Sequence, residues 1–169
     1  IGLADINTVA GVVRGHVAAK QHGIKLLVGS HLVFLAETTS GLPQIDPAQV
    51  YKTPRREAED DPILLEAAPS SHSWLPVSLV VYPQDKKSYG RMCRILTSGK
   101  IRAPKGECML SLDDLEQHND GLFGIAVIQD RYDPRVKQIL KRLKAIFSTE
   151  RLSIAAARSY CAEGTAQFE

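Results

Sequence analysis

The chain has 169 residues, 44% apolar and 24% charged, which is the balance of a globular domain and excludes disorder throughout. A domain of this length buries roughly 70% of its unfolded surface, so its core needs no disulfides. Lys+Arg 21 against Asp+Glu 19 leaves a net charge of +2, too little to argue for nucleic acid from bulk charge, and no apolar run approaches the ~20 residues of a membrane-spanning helix, so the membrane is not an expected partner.

Ile1–Ala4 is a short apolar run ending at Asp5, as a buried parallel strand would. Asn7 or Thr8 is placed to cap a following helix, in which Val9, Val13 and Val17 recur at a spacing of four. Gly23 after the basic Lys20 marks the helix end, and Lys25–Leu35 reads as the next strand. Strand–helix–strand is the unit from which parallel sheets and barrels are built. Residues 37–73 break the rhythm with five prolines (Pro43, Pro47, Pro54, Pro62, Pro69) and the charged patch Arg55–Asp61. They read as a long surface insertion, either functional or a solvated excursion, with a helical turn near Ile63–Ala68.

Pro76–Tyr82 (PVSLVVY) reads as a strand, and Asp85 as the cap of a helix whose Tyr89, Met92, Cys93 and Leu96 share a face, with Gly99 just past its end. Ser111-Leu112-Asp113-Asp114 has capping-box spacing and opens a short helix ending near His118. Gly121–Ile128 is a further strand. Pro134 then precedes a helix with Val136, Ile139, Leu140, Leu143 and Phe147 inward and Lys137, Lys141 and Lys144 outward. Leu152–Ala157 closes the series as a strand. The alternation of strands and helices makes the class α/β, and no fixed-period repeat interrupts it.

The three cysteines, Cys93, Cys108 and Cys161, show no CxxC spacing, which argues for a reducing compartment and against a zinc ribbon. No HxH, HExxH, GxSxG, GxGxxG or GxxxxGK[ST] pattern occurs, so a histidine-rich metal site, a nucleophile elbow and a glycine-rich phosphate cradle are unsupported. Asp5 sits where a strand gives way to a loop, the edge at which α/β folds place their chemistry. Its carboxylate is a candidate metal ligand or the acceptor of an Asx turn or helix cap. His31 lies mid-strand as a candidate ligand or a structural residue, and alternation leaves open whether it points inward or outward. His16 and His22 read as solvent-facing, His72 follows two serines in the insertion, and His118 ends a helix.

Charge is unevenly spread. Residues 85–107 and 131–151 each hold seven Lys/Arg against two acids, about +5 apiece, while the acidic patch at 57–66 cancels much of it. Arg91, Arg94, Lys137, Lys141 and Lys144 on these basic faces are candidate contacts for nucleic acid or an acidic protein neighbour, against the alternative of a solvated helix face.

Ile1–Thr8 (IGLADINT), Ala10–Lys20 (AGVVRGHVAAK) and Gly23–Val33 (GIKLLVGSHLV) resemble the start of the PHP domain, the polymerase-and-histidinol-phosphatase module at the N-terminus of bacterial C-family DNA polymerases. Tyr82-Pro83 with Ser88–Thr97, then Lys105–Cys108, Leu110–Leu115 and Gly121–Val127, continue the resemblance in the same order. The details are closest to the error-prone, ImuC-type branch of the DNA polymerase III alpha-subunit group, used in damage-induced translesion synthesis. The resemblance spans most of the chain outside 37–73. It implies a partial, distorted (β/α) barrel, with residues 1–169 as an incomplete PHP domain truncated at both ends. The missing initiator Met and the absence of a helix stop before Glu169 agree with truncation.

Active PHP domains hold up to three metal ions on histidines and carboxylates, which polarise a phosphoester and activate water. Carried over by position, Asp5 matches the Asp of the family's Thr-Asp-His motif, but Ala4 and Ile6 stand for the Thr and His. His31 falls where the family often has an acidic ligand, and the family's first HxH lies upstream of Ile1. The resemblance therefore implies a degenerate, structural module in a bacterial, cytoplasmic DNA polymerase, with the polymerase carboxylates far downstream and no cofactor bound by this segment. A divalent metal (Mg, Mn or Zn) belongs to the parent, and the implied partners are the rest of the polymerase chain, DNA through the parent, and replication or mutagenesis accessory proteins. Two alternatives stand beside this reading. One is a PHP-type phosphoesterase that uses Asp5 and His31 with ligands outside the chain, and the other is a DNA- or partner-binding module acting through its basic faces.

Overall fold

The computed structural model describes residues 1–36, 74–129, 133–148 and 150–155. The insertion 37–73 with its prolines, the turn near Ile63–Ala68, His72, Cys161 and the last two residues of the Leu152–Ala157 strand lie outside the described residues. Within them the order is β1 (Gly2–Ile6), α1 (Val12–Gln21), β2 (Leu27–Leu32), β3 (Val77–Pro83), α2 (Lys86–Arg102), α3 (Leu112–His118), β4 (Leu122–Ile128), α4 (Val136–Ile146) and β5 (Leu152–Ala155).

The five strands lie side by side in sequence order. β1 and β2 pair in parallel, as do β4 and β5, whereas β3 runs antiparallel to both β2 and β4. The described residues thus form a mixed α/β fold on an open sheet. The alternation of strands and helices gives the α/β class; the partial barrel that the resemblance implies is not what the described strands form, because strand direction depends on which distant segments pair.

Register sorts the sheet into two faces. Leu32 pairs with Leu79 and Leu79 with Ala126, so all three share one face. These three pack with Met92 and Ile95 of α2, Leu115 of α3, and Ile139, Leu143 and the adjoining Phe147 of α4 in a single apolar cluster. α1 lies on the same face, because Asp5 pairs with Ser30 and Ser30 with Val81, and Asp5 meets the start of that helix. The other face carries Ile6, His31, Ser78, Val80, Tyr82 and Phe123, of which Ile6 is 65% and Phe123 42% exposed.

Local signals explain most elements. Asp85 accepts from the Ser88 amide at 2.7 Å while the Ser88 hydroxyl takes the Asp85 amide at 2.9 Å, closing a capping box. Ser111 and Asp114 build a second box at α3, where the sequence spacing placed it. α4 buries Val136, Ile139 and Leu143 and exposes Lys137, Lys141 and Lys144, as its apolar spacing requires.

Four local expectations are corrected. Neither Asn7 nor Thr8 caps α1; the cap position is Gly11, and Asn7 instead takes a left-handed φ of 50° with its side chain tied to the Val33 backbone. The valine stripe does not pack α1 onto the sheet, since Val13 is 72% and Val17 50% exposed. The helix approaches through Gly15 and Ala19, and a Cβ on Gly15 would stand 2.8 Å from Leu3 Cδ2, so that leucine would have to shift. β2 ends at Leu32 instead of Leu35, because Phe34 leaves the sheet to bridge Leu110 and Leu35 to bridge Trp74. Gly99 does not end α2; it is buried within the helix against Leu110 and Cys108. Gly23 keeps its expected place past α1, at φ 66°.

Candidate functional site

β1 delivers Asp5 to the mouth of α1. Gly11 has no side chain to serve the free amides of that helix end, and the Asp5 Oδ2 accepts the Gly11 N–H at 2.6 Å. A carboxylate at a helix N-terminus is favoured both by the hydrogen bond and by the helix dipole. The loop that carries it is tied to β2: the Ser30 hydroxyl lies 3.1 Å from both the Asp5 and the Thr8 carbonyl oxygens, and the Val33 amide donates to Asn7 Oδ1 at 2.9 Å. Asp5 thus meets the amide of the residue that opens α1, six positions along the chain. Asp5→Ala is therefore expected to cost about 1 kcal/mol and fray α1, with Asp5→Asn milder. Urea unfolding followed by circular dichroism checks this, and an Ala variant as stable as the parent would overturn it.

His31 is held on the opposite face. Its Nε2 is 2.7 Å from the Ser78 hydroxyl, which also receives the Gln129 amide at 3.3 Å. Burial pushes the imidazole below its ordinary value of 6.5, so the neutral ring prevails at pH 7. Because Asp5 pairs with Ser30 and Ile6 with His31, pleating sends Asp5 and His31 to different sides of the sheet. On β1 the side chain that shares His31's side is Ile6, which has no ligand atom. Among the described residues no group of three or more His, Cys, Asp or Glu side chains comes together to hold a metal ion.

The basic residues divide by their partners. Arg91 is committed to Asp120, with a 2.9 Å ion pair and a 3.2 Å bond to its carbonyl oxygen, while Arg94 is exposed. Arg135 pairs with Asp133, and Arg142 reaches Asp113 and Glu116 on α3. Lys137, Lys141 and Lys144 are exposed along one side of α4 and line a groove against β5. His16 and His22 are exposed, as their helix positions suggested. Cys93 and Cys108 are free thiols, and burial pushes the Cys108 thiol up, away from reactivity.

Pair patterns in the sequence left the Arg102–Asp114 fork undetected. Arg102 Nη1 and Nη2 donate to the two Asp114 oxygens at 2.8 and 2.9 Å, joining the end of α2 to the start of α3. Only the capping box at Ser111 hinted that Asp114 was special, and that signal is local.

The fold and the geometry define an α/β domain with an open mixed sheet whose helices cover one face. No family model matches the chain. It is 31% identical over 148 residues to error-prone DNA polymerase 1 of Agrobacterium fabrum, covering 88% of this chain and 10% of that protein. It is 32% identical over 162 residues to the error-prone DNA polymerase of Caulobacter vibrioides, covering 96% and 11%. With the Bradyrhizobium diazoefficiens error-prone DNA polymerase it shares 31% over 155 residues, 86% of this chain and 10% of the relative. The chain spans about a tenth of the length of the curated relatives it matches. Among the described residues, no helix is long and apolar enough to cross a membrane.

Proposed function

We propose that the chain is a stretch of an error-prone DNA polymerase and that it serves there as a degenerate PHP module with a structural role. One observation carries the reading: the likeness to error-prone polymerases runs along 96% of the chain for the Caulobacter protein and 88% for the Agrobacterium one. DNA synthesis then belongs to the rest of the polymerase, and this segment braces it.

The candidate ligands support the structural part. Asp5 already accepts a helix amide, His31 is bonded to Ser78, and the two point to opposite faces, so one ion cannot take both. Ile6 offers nothing in place of the family's histidine. The described residues do not fit a multinuclear metal site, and among them a phosphoesterase reading finds no support.

Two measurements test the proposal. Reading the coding DNA on both sides should show the frame continuing downstream for several hundred codons; a start codon before Ile1 together with a stop after Glu169 would remove the polymerase reading. The purified chain with manganese or zinc should not hydrolyse p-nitrophenyl phosphate above the buffer rate. Hydrolysis that disappears in Asp5→Asn would overturn the structural role while leaving the polymerase reading intact.

A further inference from the structure

We propose that the groove between α4 and β5 is a docking site for an acidic peptide segment of a partner protein that inserts apolar side chains between its charges. The groove, about 350 Å³, is lined by Lys137, Leu140, Lys141, Lys144, Leu152 and Ile154. The proposal stands on this groove alone and does not depend on the polymerase reading.

Its floor and its rim ask for different things. Leu140, Leu152 and Ile154 form an apolar floor, and Ile154 is 59% exposed in a strand that lies at the end of the described sheet. Covering it removes apolar surface from water, which stabilises a complex. The rim is a stripe of three lysines at spacings of four and three, so their charges are neighbours on the helix surface and repel one another. Other cations of this region are compensated: Arg135 by Asp133, and Arg142 by Asp113 and Glu116. Among the described residues the three lysines have no ion-pair partner. An acidic segment relieves that repulsion, and apolar residues spaced among its acids cover the floor.

Nucleic acid satisfies only half of this. Phosphates would pair with the lysines but leave Leu140, Leu152 and Ile154 in water, and among the described residues no aromatic side chain lines the groove to stack a base. Charge and apolar floor together favour a peptide.

The test is selection of a random peptide display library on the 169-residue chain, counter-selected on the K137E/K141E/K144E variant. Recovered peptides should combine Asp or Glu with Leu, Ile or Phe. In fluorescence anisotropy they should bind the chain at least about tenfold more tightly than the triple variant or Ile154→Asp, and the affinity should fall as salt rises. Circular dichroism confirms that the variants are folded, and K141E alone carries the comparison if the triple variant is not. No enrichment, peptides without acidic residues, or equal binding by parent and variants would overturn the proposal. Labelled duplex DNA that binds more tightly than the peptides, with the same lysine dependence, would overturn it in favour of nucleic acid.

Discussion

Asp114→Ala is expected to destabilise the fold by about 2–3 kcal/mol, below the range for removing one partner of a fully buried ion pair because a quarter of the Arg102 side chain reaches solvent. Asp114 is 7% exposed and serves four donors at once. Arg102 approaches through two nitrogens, at 2.8 and 2.9 Å, and the Ser111 amide and hydroxyl lie at 2.9 and 3.0 Å. Alanine leaves the Arg102 guanidinium only its bond to the Met109 carbonyl oxygen, leaves the cap amide without its acceptor, and unties α2 from α3. Asp114→Asn keeps the shape and part of the hydrogen bonding, so its cost should be about half as large. Urea unfolding monitored by tryptophan fluorescence and circular dichroism measures both, and a loss below about 1 kcal/mol for the Ala variant would mean the fork is not structural.

The same carboxylate sets a pH dependence. Burial pushes the Asp114 carboxyl up, but the Arg102 fork and the Ser111 amide and hydroxyl outweigh it, and the net displacement is below the ordinary 3.8. A carboxyl with a lower value in the folded state stabilises the fold fully above its unfolded value and loses that contribution as pH falls through the folded one. The parent should therefore lose more stability than Asp114→Asn when titrated through this acid range.

Gly29→Val is the second large expected loss, about 3 kcal/mol, with Gly29→Ala near 2 kcal/mol, at the upper end for overpacking a close contact. A Cβ at Gly29 would strike the Val81 carbonyl oxygen and stand 2.7 and 2.8 Å from Tyr82 Cδ1 and Cε1. The tyrosine ring can swing aside, but the carbonyl belongs to the β3 backbone, paired on both sides. Relief requires β2 and β3 to separate, the seam that joins the β1–α1–β2 unit to the rest of the sheet. Chemical unfolding should show a lower midpoint, and a Gly29→Ala variant within about 0.5 kcal/mol of the parent would show that the strands yield cheaply.

Much of this fold was legible in the residues. The apolar runs around Val77–Pro83 and Leu122–Ile128, the capping boxes at Asp85 and Ser111, and the apolar spacing of α4 with its lysines outside all appear where the sequence places them. Each is a local signal, carried by a pleat, a helical turn or a cap within a few residues. Tertiary structure alone decided the rest. It turned β3 against its neighbours, packed α1 through Gly15 and Ala19 instead of its valines, and kept Gly99 inside α2 as a contact for Leu110 and Cys108. It also sent Asp5 to the Gly11 amide ahead of α1 and His31 to Ser78 on the other face, and set Leu152 and Ile154 beside the lysines of α4. Those outcomes depend on partners 20 or more residues away in several cases, such as Ser78 for His31 at a separation of 47. Spacing along the chain carries propensity and periodicity; which face meets which partner is decided only when the sheet is assembled.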